Sequence, residues 1–364
     1  MRWRIALGVG VLALGALLLE GVARLVCRTD EARRERLLSG DDYWIDRWLA
    51  AEDAAPPEPG GRPRRAAEIG PLARGDPLHR HDPTLGWVPR EGVRQEGLTT
   101  NSLGMRGPVD VPLEKPPGER RIVVVGDSFT FGHGVKDEEV WTEKLAQRIG
   151  GVRVLNLGVP GYGLDQQCLR LEELGMRLAP DLVLVGLFGP DLDRNELRFR
   201  DAPKPRFVLD GDGLRLDNVP VPTLEQLRTT FSRKRVGSYA WTMLRKIAAA
   251  GGGTGADAPK WELARRILDR MRAAAERGGS RFAVAYFPAK TTSFDREPDD
   301  YEKTVVSWAG ANDVALVNVR ETFFGLGSGR FREIWHNHWT PFGNEIVAEA
   351  VLAGLREFNA IPAR

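Results

Sequence analysis

Residues 122–132 read Ile-Val-Val-Val-Gly-Asp-Ser-Phe-Thr-Phe-Gly, and the rest of the chain is most easily understood outward from them. Ile122 to Val125 is an uninterrupted β-branched run, the pattern of a strand covered on both faces. It stops at Gly126-Asp127-Ser128, a strand-to-helix turn. Four more short apolar runs follow: Arg153–Leu157, Leu182–Phe188, Phe282–Phe287 and Ala315–Val319. Helical periodicity fills the gaps, over Glu139–Arg148, Leu164–Leu178, Trp261–Arg277, Tyr301–Ala309 and, closing the chain, Pro341–Phe358. Strand alternating with helix predicts a three-layer α/β fold with a parallel sheet.

Such folds hold their ligand outside the carboxyl ends of the strands, so the residues just after each strand are the candidates for chemistry. After the first strand, Ser128 sits where a hydroxyl stands above the sheet edge and helix N–H groups point at developing negative charge. A helix N-cap is the equally simple alternative for Asp127-Ser128. After the second strand comes Gly158-Val159-Pro160-Gly161-Tyr162-Gly163, where an N–H could serve as a second oxyanion donor or the glycines could merely shape a turn. After the third comes Gly189-Pro190-Asp191-Leu192-Asp193-Arg194-Asn195. Before the last helix stands Trp335-His336-Asn337-His338-Trp339-Thr340-Pro341-Phe342-Gly343, where this topology would place a base for Ser128. Packing beside the tryptophans and helix capping are the alternatives for His336 and His338.

Composition narrows the function classes. The chain has 364 residues, 42 % hydrophobic and 28 % charged, with 52 basic against 50 acidic residues and a net charge of +2. No field exists to gather nucleic acid, which is excluded as an expected partner. Two cysteines, Cys27 and Cys168, are too few for a disulfide framework or a thiolate zinc site. His133, His336 and His338 lack a neighbouring carboxylate motif, so no metal and no cofactor are expected.

The apolar content is densest at the start. Ile5–Leu19 carries no charge and follows Arg2 and Arg4, which gives residues 1–27 the shape of a signal or, preferably, an uncleaved transmembrane anchor. Arg24, Arg28, Arg33, Arg34 and Arg36 follow that run and oppose the positive-inside rule, leaving orientation open. Residues 28–120 read as a tether rich in Arg, Pro and Gly, clearest at Ala54–Arg65, that builds no core of its own. Trp44–Trp48 and His81–Arg106 are its ordered islands, expected to lie on the unit that follows, 121–364.

The four motif segments together resemble the SGNH, or GDSL-like, hydrolase superfamily, over about Ile122–Leu355. Leu85-Gly86-Trp87 and Asn101-Ser102-Leu103-Gly104-Met105-Arg106-Gly107 upstream look like its membrane-anchored bacterial branch. The resemblance implies a flavodoxin-like sandwich with a five-stranded parallel sheet, and acyl-ester hydrolysis or acyl transfer, often on carbohydrate O-acetyl groups. It implies Ser128 as nucleophile and first oxyanion donor, Gly161 as second donor, and His338 as general base. Two positions depart from the family pattern. Pro190 stands where an asparagine supplies a third donor, and proline has no N–H to offer; Asn195 is the nearest amide. His336 and Trp335 stand where the family carries the aspartate that orients the base, with Glu333 or Asp191 as substitute carboxylates.

Residues 196–260 form an insertion with a hairpin over Arg206–Leu216, helices over Thr223–Phe231 and Tyr239–Ala250, and a run of glycines at 251–255. It is placed to act as a lid or acceptor platform, or else as a peripheral elaboration or dimer contact. His133, five residues after Ser128, is expected as a solvated loop residue, with the site rim as the alternative; Trp335 and Trp339 are expected as core, with stacking on a sugar ring as the alternative, and Cys168 as a small buried hydrophobe. The expected function is a serine esterase or O-acyltransferase, membrane-anchored with its catalytic part periplasmic or extracellular, acting on a small acyl ester or glycan. The alternative is a weak or inactive relative that binds glycan or serves as an assembly subunit.

Overall fold

The computed structural model describes residues 2–28, 38, 40–53, 71–73, 76–231, 238–250 and 259–361, with backbone alone for 2–13, 28, 50–53, 231 and 245–250. Its centre is a five-stranded sheet of β1 (Arg120–Gly126), β2 (Val152–Asn156), β3 (Leu182–Phe188), β4 (Arg281–Phe287) and β5 (Ala315–Asn318), in the order β5-β4-β3-β1-β2. Every pairing is parallel. The strands fall within a residue or two of the apolar runs because each run is buried on both faces. Val123 and Val125 of β1 pack with Val183, Val185 and Val284, whereas Ile122 and Val124 pack with Leu184, Ala283 and Ala285 on the other side.

Helices cover both faces. On the Val123 side lie Leu164–Arg170, which widens through Leu171–Gly175 before a last 3-10 turn at Met176–Leu178, then Pro259–Arg277 and Asp300–Ala311. On the Ile122 side lie Trp141–Ile149, Val319–Leu326 and the closing helix Pro341–Glu357. The chain leaves β1 for β2 on one flank and returns to β3 on the other, so a crevice opens at the carboxyl ends of β1 and β3. Gly126 of β1 pairs in register with Gly186 of β3. A Cβ on either would collide with Thr130 Oγ1, so this glycine pair lets the one-turn helix Ser128–Phe131 sit directly on the sheet end.

The stretch before the sheet is more than a tether where it is described. A hairpin, His79–Asp82 with Gly86–Pro89, drives Leu85, Trp87 and Val88 into the main core, joined by Met105. Trp87 is fully buried; its Nε1 donates to Pro160 O at 3.1 Å, and its carbonyl accepts from Tyr162 Oη at 2.5 Å. Trp44 and Trp48, on the helix Asp41–Asp53, pack with Cys27 and with Phe199 of the insertion. The linker Ala54–Arg65 lies outside the described residues.

The insertion carries the expected hairpin, Arg206–Asp210 with Gly213–Asp217, and both expected helices. Gly251–Gly255 lies outside the described residues. Its helix Tyr239–Ala250 packs against the N-terminal helix Arg2–Arg28, where Glu20 accepts from Tyr239 N at 3.1 Å, Ala240 N at 3.0 Å and Ser238 Oγ at 2.7 Å. Glu20, a charge at the end of an apolar run, thus caps a helix. Among the described residues no helix is long and apolar enough to cross a membrane. Of the expected anchor, the side chains of 5–13 lie outside them.

Candidate active site

Asp127 follows β1 and caps the helix that Ser128 opens, its Oδ1 accepting from Phe129 N at 2.9 Å. Both readings of the turn therefore hold at once: Asp127 is the cap, and Ser128 is left at the crevice. The loop after β2 comes close beside it, since a Cβ on Gly158 would stand 2.5 Å from Phe131 N. Asn156 fixes that approach through Nδ2, which donates to Thr130 O at 2.7 Å and Thr142 Oγ1 at 2.9 Å. Gly161, at φ +84°, lines the same crevice.

His338 arrives from the other side. Trp335 and Trp339 bridge, His336 N donates to His338 O at 2.9 Å, and Thr340 caps the last helix by accepting from Gly343 N at 3.1 Å. This tight turn sets His338 Nε2 at 2.8 Å from Ser128 Oγ. Phe129 and His133 pack on the imidazole with ring centroids 4.8 and 4.7 Å away. Burial, with the Arg194 cation nearby, lowers the His338 pKa to about 4, so the ring is neutral and able to accept a proton at neutral pH. Ser128, Gly161, Phe188, Arg194, Trp335 and His338 are among the walls of a cavity of about 380 Å³.

The supporting groups are placed differently from expectation. Asn195 is fully buried behind the site, its Oδ1 accepting from Asp165 N at 3.1 Å, and it does not line the cavity. The residue before it does. Arg194 Nη1 lies 2.5 Å from Asp191 Oδ1 and donates to Tyr162 O at 2.8 Å and Asp127 Oδ2 at 3.3 Å. Pro190 begins the one-turn helix Asp191–Arg194, which swings Arg194 into the crevice.

Among the described residues no carboxylate is hydrogen-bonded to His338. Asp191 accepts from Gln167 Nε2 at 2.8 Å and pairs with Arg194, on the serine side of the site. Burial pushes its carboxyl well above the usual range against the pull of Arg194, with Asp127 adding to the rise. Glu333 is exposed and bonded to Arg330 at 2.6 Å. His336 is exposed, and its carbonyl accepts from Lys290 Nζ at 2.5 Å.

His133 is not merely a solvated loop residue: it lines the cavity against the His338 ring. Trp335 and Trp339 are buried core residues, as is Cys168, whose thiol burial pushes upward. The insertion makes a poor lid, because only Arg200 and Asp201 of its described residues reach the cavity while its helices pack elsewhere. Arg194 escaped the sequence reading; the available signal was the Asp-x-x-Arg spacing just after the third strand, which puts both side chains on one helical face.

A parallel α/β sandwich with a serine at the first strand-to-helix turn and a histidine before the last helix is the architecture of an acyl hydrolase. The chain belongs to the GDSL-like Lipase/Acylhydrolase family, whose model matches residues 124–346, more than half its length. No curated protein matches it. Among solved structures it is similar to TesA, at 18 % identity and TM-score 0.40, covering 65 % of this chain and 99 % of that one. It is also similar to the psychrotrophic esterase EstA from Pseudoalteromonas sp., at 12 % identity and TM-score 0.40, covering 67 % and 100 %. A third is the acetyl xylan esterase AlAXEase, at 14 % identity and TM-score 0.40, covering 65 % and 99 %.

Proposed function

We propose that this chain is a serine esterase that cleaves O-acyl esters of carbohydrate alcohols, with transfer of the acyl group to a sugar hydroxyl as the variant of its second step. The observation that carries the reading is the 2.8 Å contact between His338 Nε2 and Ser128 Oγ at the mouth of a cavity. His338 takes the Ser128 proton as Oγ attacks the acyl carbon, and the backbone N–H groups of Ser128 and Gly161 receive the oxyanion. The Arg194 guanidinium supplies positive charge on the side where Pro190 offers no amide. Collapse of the intermediate expels the alcohol, which takes the proton back from His338. Water, or an acceptor hydroxyl, then attacks the acyl-serine with His338 again as base.

The bare imidazole favours a slow or specialised enzyme over a fast general one, since an untethered base is slower but still competent. The apolar run Ile5–Leu19 supports a membrane-anchored placement facing the envelope.

A fluorophosphonate probe tests the chemistry. The full-length wild-type protein is expected to label covalently and to hydrolyse 4-nitrophenyl acetate, and Ser128→Ala to do neither. Hydrolysis that survives in Ser128→Ala would remove Ser128 as the nucleophile, and a wild type that neither labels nor hydrolyses would leave the glycan-binding or assembly role standing instead. An impermeant probe on intact cells reports the side of the membrane.

A further inference from the structure

Three histidines line the cavity, His338, His133 and His79, and the proposed reaction uses only the first. His79 is 4 % exposed and lines the same cavity as Ser128 and His338. Its Nδ1 lies 3.0 Å from Asp76 Oδ2, and Asp76 is itself held by backbone donors, accepting from Leu72 N at 2.8 Å and Leu78 N at 2.9 Å. Although burial opposes it, the His79 ring and these N–H groups hold the Asp76 carboxyl below its usual range, so it is a charged acceptor. With Nδ1 bonded to the Asp76 carboxylate, Nε2 is the ring atom left to meet a ligand; in the neutral ring this arrangement keeps the proton on Nδ1 and the lone pair on Nε2. That Nε2 is buried and has no hydrogen-bond partner among the described residues. A buried acceptor left unpaired is costly, and its natural complement is a ligand hydroxyl.

We infer that the Asp76–His79 pair is the alcohol-side subsite of this cavity, in which His79 Nε2 accepts a hydrogen bond from a free hydroxyl of a polyol or sugar ester. The inference rests on the proposed esterase reading and deepens it, by naming what selects the alcohol half of the ester. The remaining walls fit that division. Leu78, Leu98 and Pro160 are apolar, while Arg200, Asp201, Lys290 and Asn337 add polar groups to the same cavity, as a ligand with several hydroxyls would need. The segment that carries the pair lies upstream of the matched family region, and the hairpin beginning at His79 is pinned to the core by Trp87.

Two readouts on the full-length protein test this. The first compares 1-monoacetylglycerol with ethyl acetate, which share an acyl group and differ in free hydroxyls. In His79→Leu the ratio of kcat/KM for the two esters is expected to fall about tenfold, mainly through KM, because a hydrogen bond to the hydroxyl is lost. His79→Gln, which keeps an acceptor atom, is expected to retain most of the ratio. The second readout needs no turnover. In ¹⁵N-histidine-labelled Ser128→Ala protein, the His79 Nε2 resonance is expected to shift on titration with methyl β-glucoside, with no such shift at His336. An unchanged ester ratio together with an unmoved His79 resonance overturns the inference even if the esterase is active. A shift without any Ser128-dependent turnover in wild type overturns the esterase reading and keeps the sugar subsite.

Discussion

Ser128 and His338 are 210 residues apart in sequence, and the fold sets their reacting atoms 2.8 Å from each other, with burial and Arg194 holding the imidazole neutral well below pH 6. A base must be unprotonated to work, so the depressed pKa fixes the sign of the pH dependence. Activity is present above the folded pKa and is lost as pH falls through about 4. The kcat/KM profile for 4-nitrophenyl acetate between pH 3 and 8 should therefore show an acid limb far below the ordinary histidine value. A limb centred near 6.5 would mean that His338 is solvated in the working enzyme.

Arg194 gives the second prediction. Its guanidinium lies between Asp191 and Asp127 and also lines the cavity, so removing it acts on both the transition state and the base. Simple truncation would strand a buried charge, so the fair comparison is the double variant Arg194→Gln with Asp191→Asn, set against Asp191→Asn alone. Loss of positive charge beside the oxyanion should lower kcat on the order of a hundredfold. Loss of its repulsion should move the acid limb upward. A change in neither quantity would make Arg194 a purely structural residue.

How much of this was legible beforehand depends on the kind of signal. The five strands were readable because double-sided burial writes itself as unbroken β-branched runs such as Val123-Val124-Val125. Ser128 and the loops that hold Gly161 and His338 were readable because strand ends confine the candidates to short, marked loops, and the family resemblance singled out Gly161 and chose His338 over His336. The placement of Arg194 was not, because whether it or Asn195 faces the crevice depends on the rotation of a one-turn helix that begins at a proline. Nor was the burial of Trp87 fully visible. A composition rich in Arg and Pro masks a hairpin whose few apolar residues complete the core of a distant sheet, and no local periodicity reports a partner some seventy residues away such as Pro160.

The third prediction follows from that hairpin. Leu85, Trp87, Val88 and Met105 belong to the main core, and Arg106 is buried with its guanidinium donating to Asp137 Oδ1 at 2.5 Å and Val135 O at 2.9 Å. A chain beginning at Arg120 would strip all five away and expose the sheet face they cover. It is expected to be insoluble or to melt far below a chain beginning at Pro71. The single change Trp87→Ala should cost about 3–5 kcal/mol by chemical denaturation. Equal melting temperatures for the two truncations would show that the hairpin is only peripheral.

The last prediction concerns the missing carboxylate. His336 and Trp335 hold the two places, two and three residues before the base, where the resemblance implies an aspartate; Trp335 is buried core, and the turn that bonds His336 N to His338 O brings those two residues side by side. His336 is exposed, so replacing it leaves the core intact. In His336→Asp a carboxylate beside Nδ1 would fix the tautomer that leaves Nε2 free for Ser128, and would stabilise the imidazolium formed as the serine attacks. Both effects raise the rate, and the second also raises the His338 pKa, so kcat should increase about tenfold or more while the acid limb moves upward. The two readouts must move together. A higher limb without a faster reaction would show that the proton transfer already runs at its limit and that acyl-serine breakdown or product release sets kcat. If neither moves, the side chain at 336 does not reach Nδ1, and the Ser128–His338 pair works without an orienting acid.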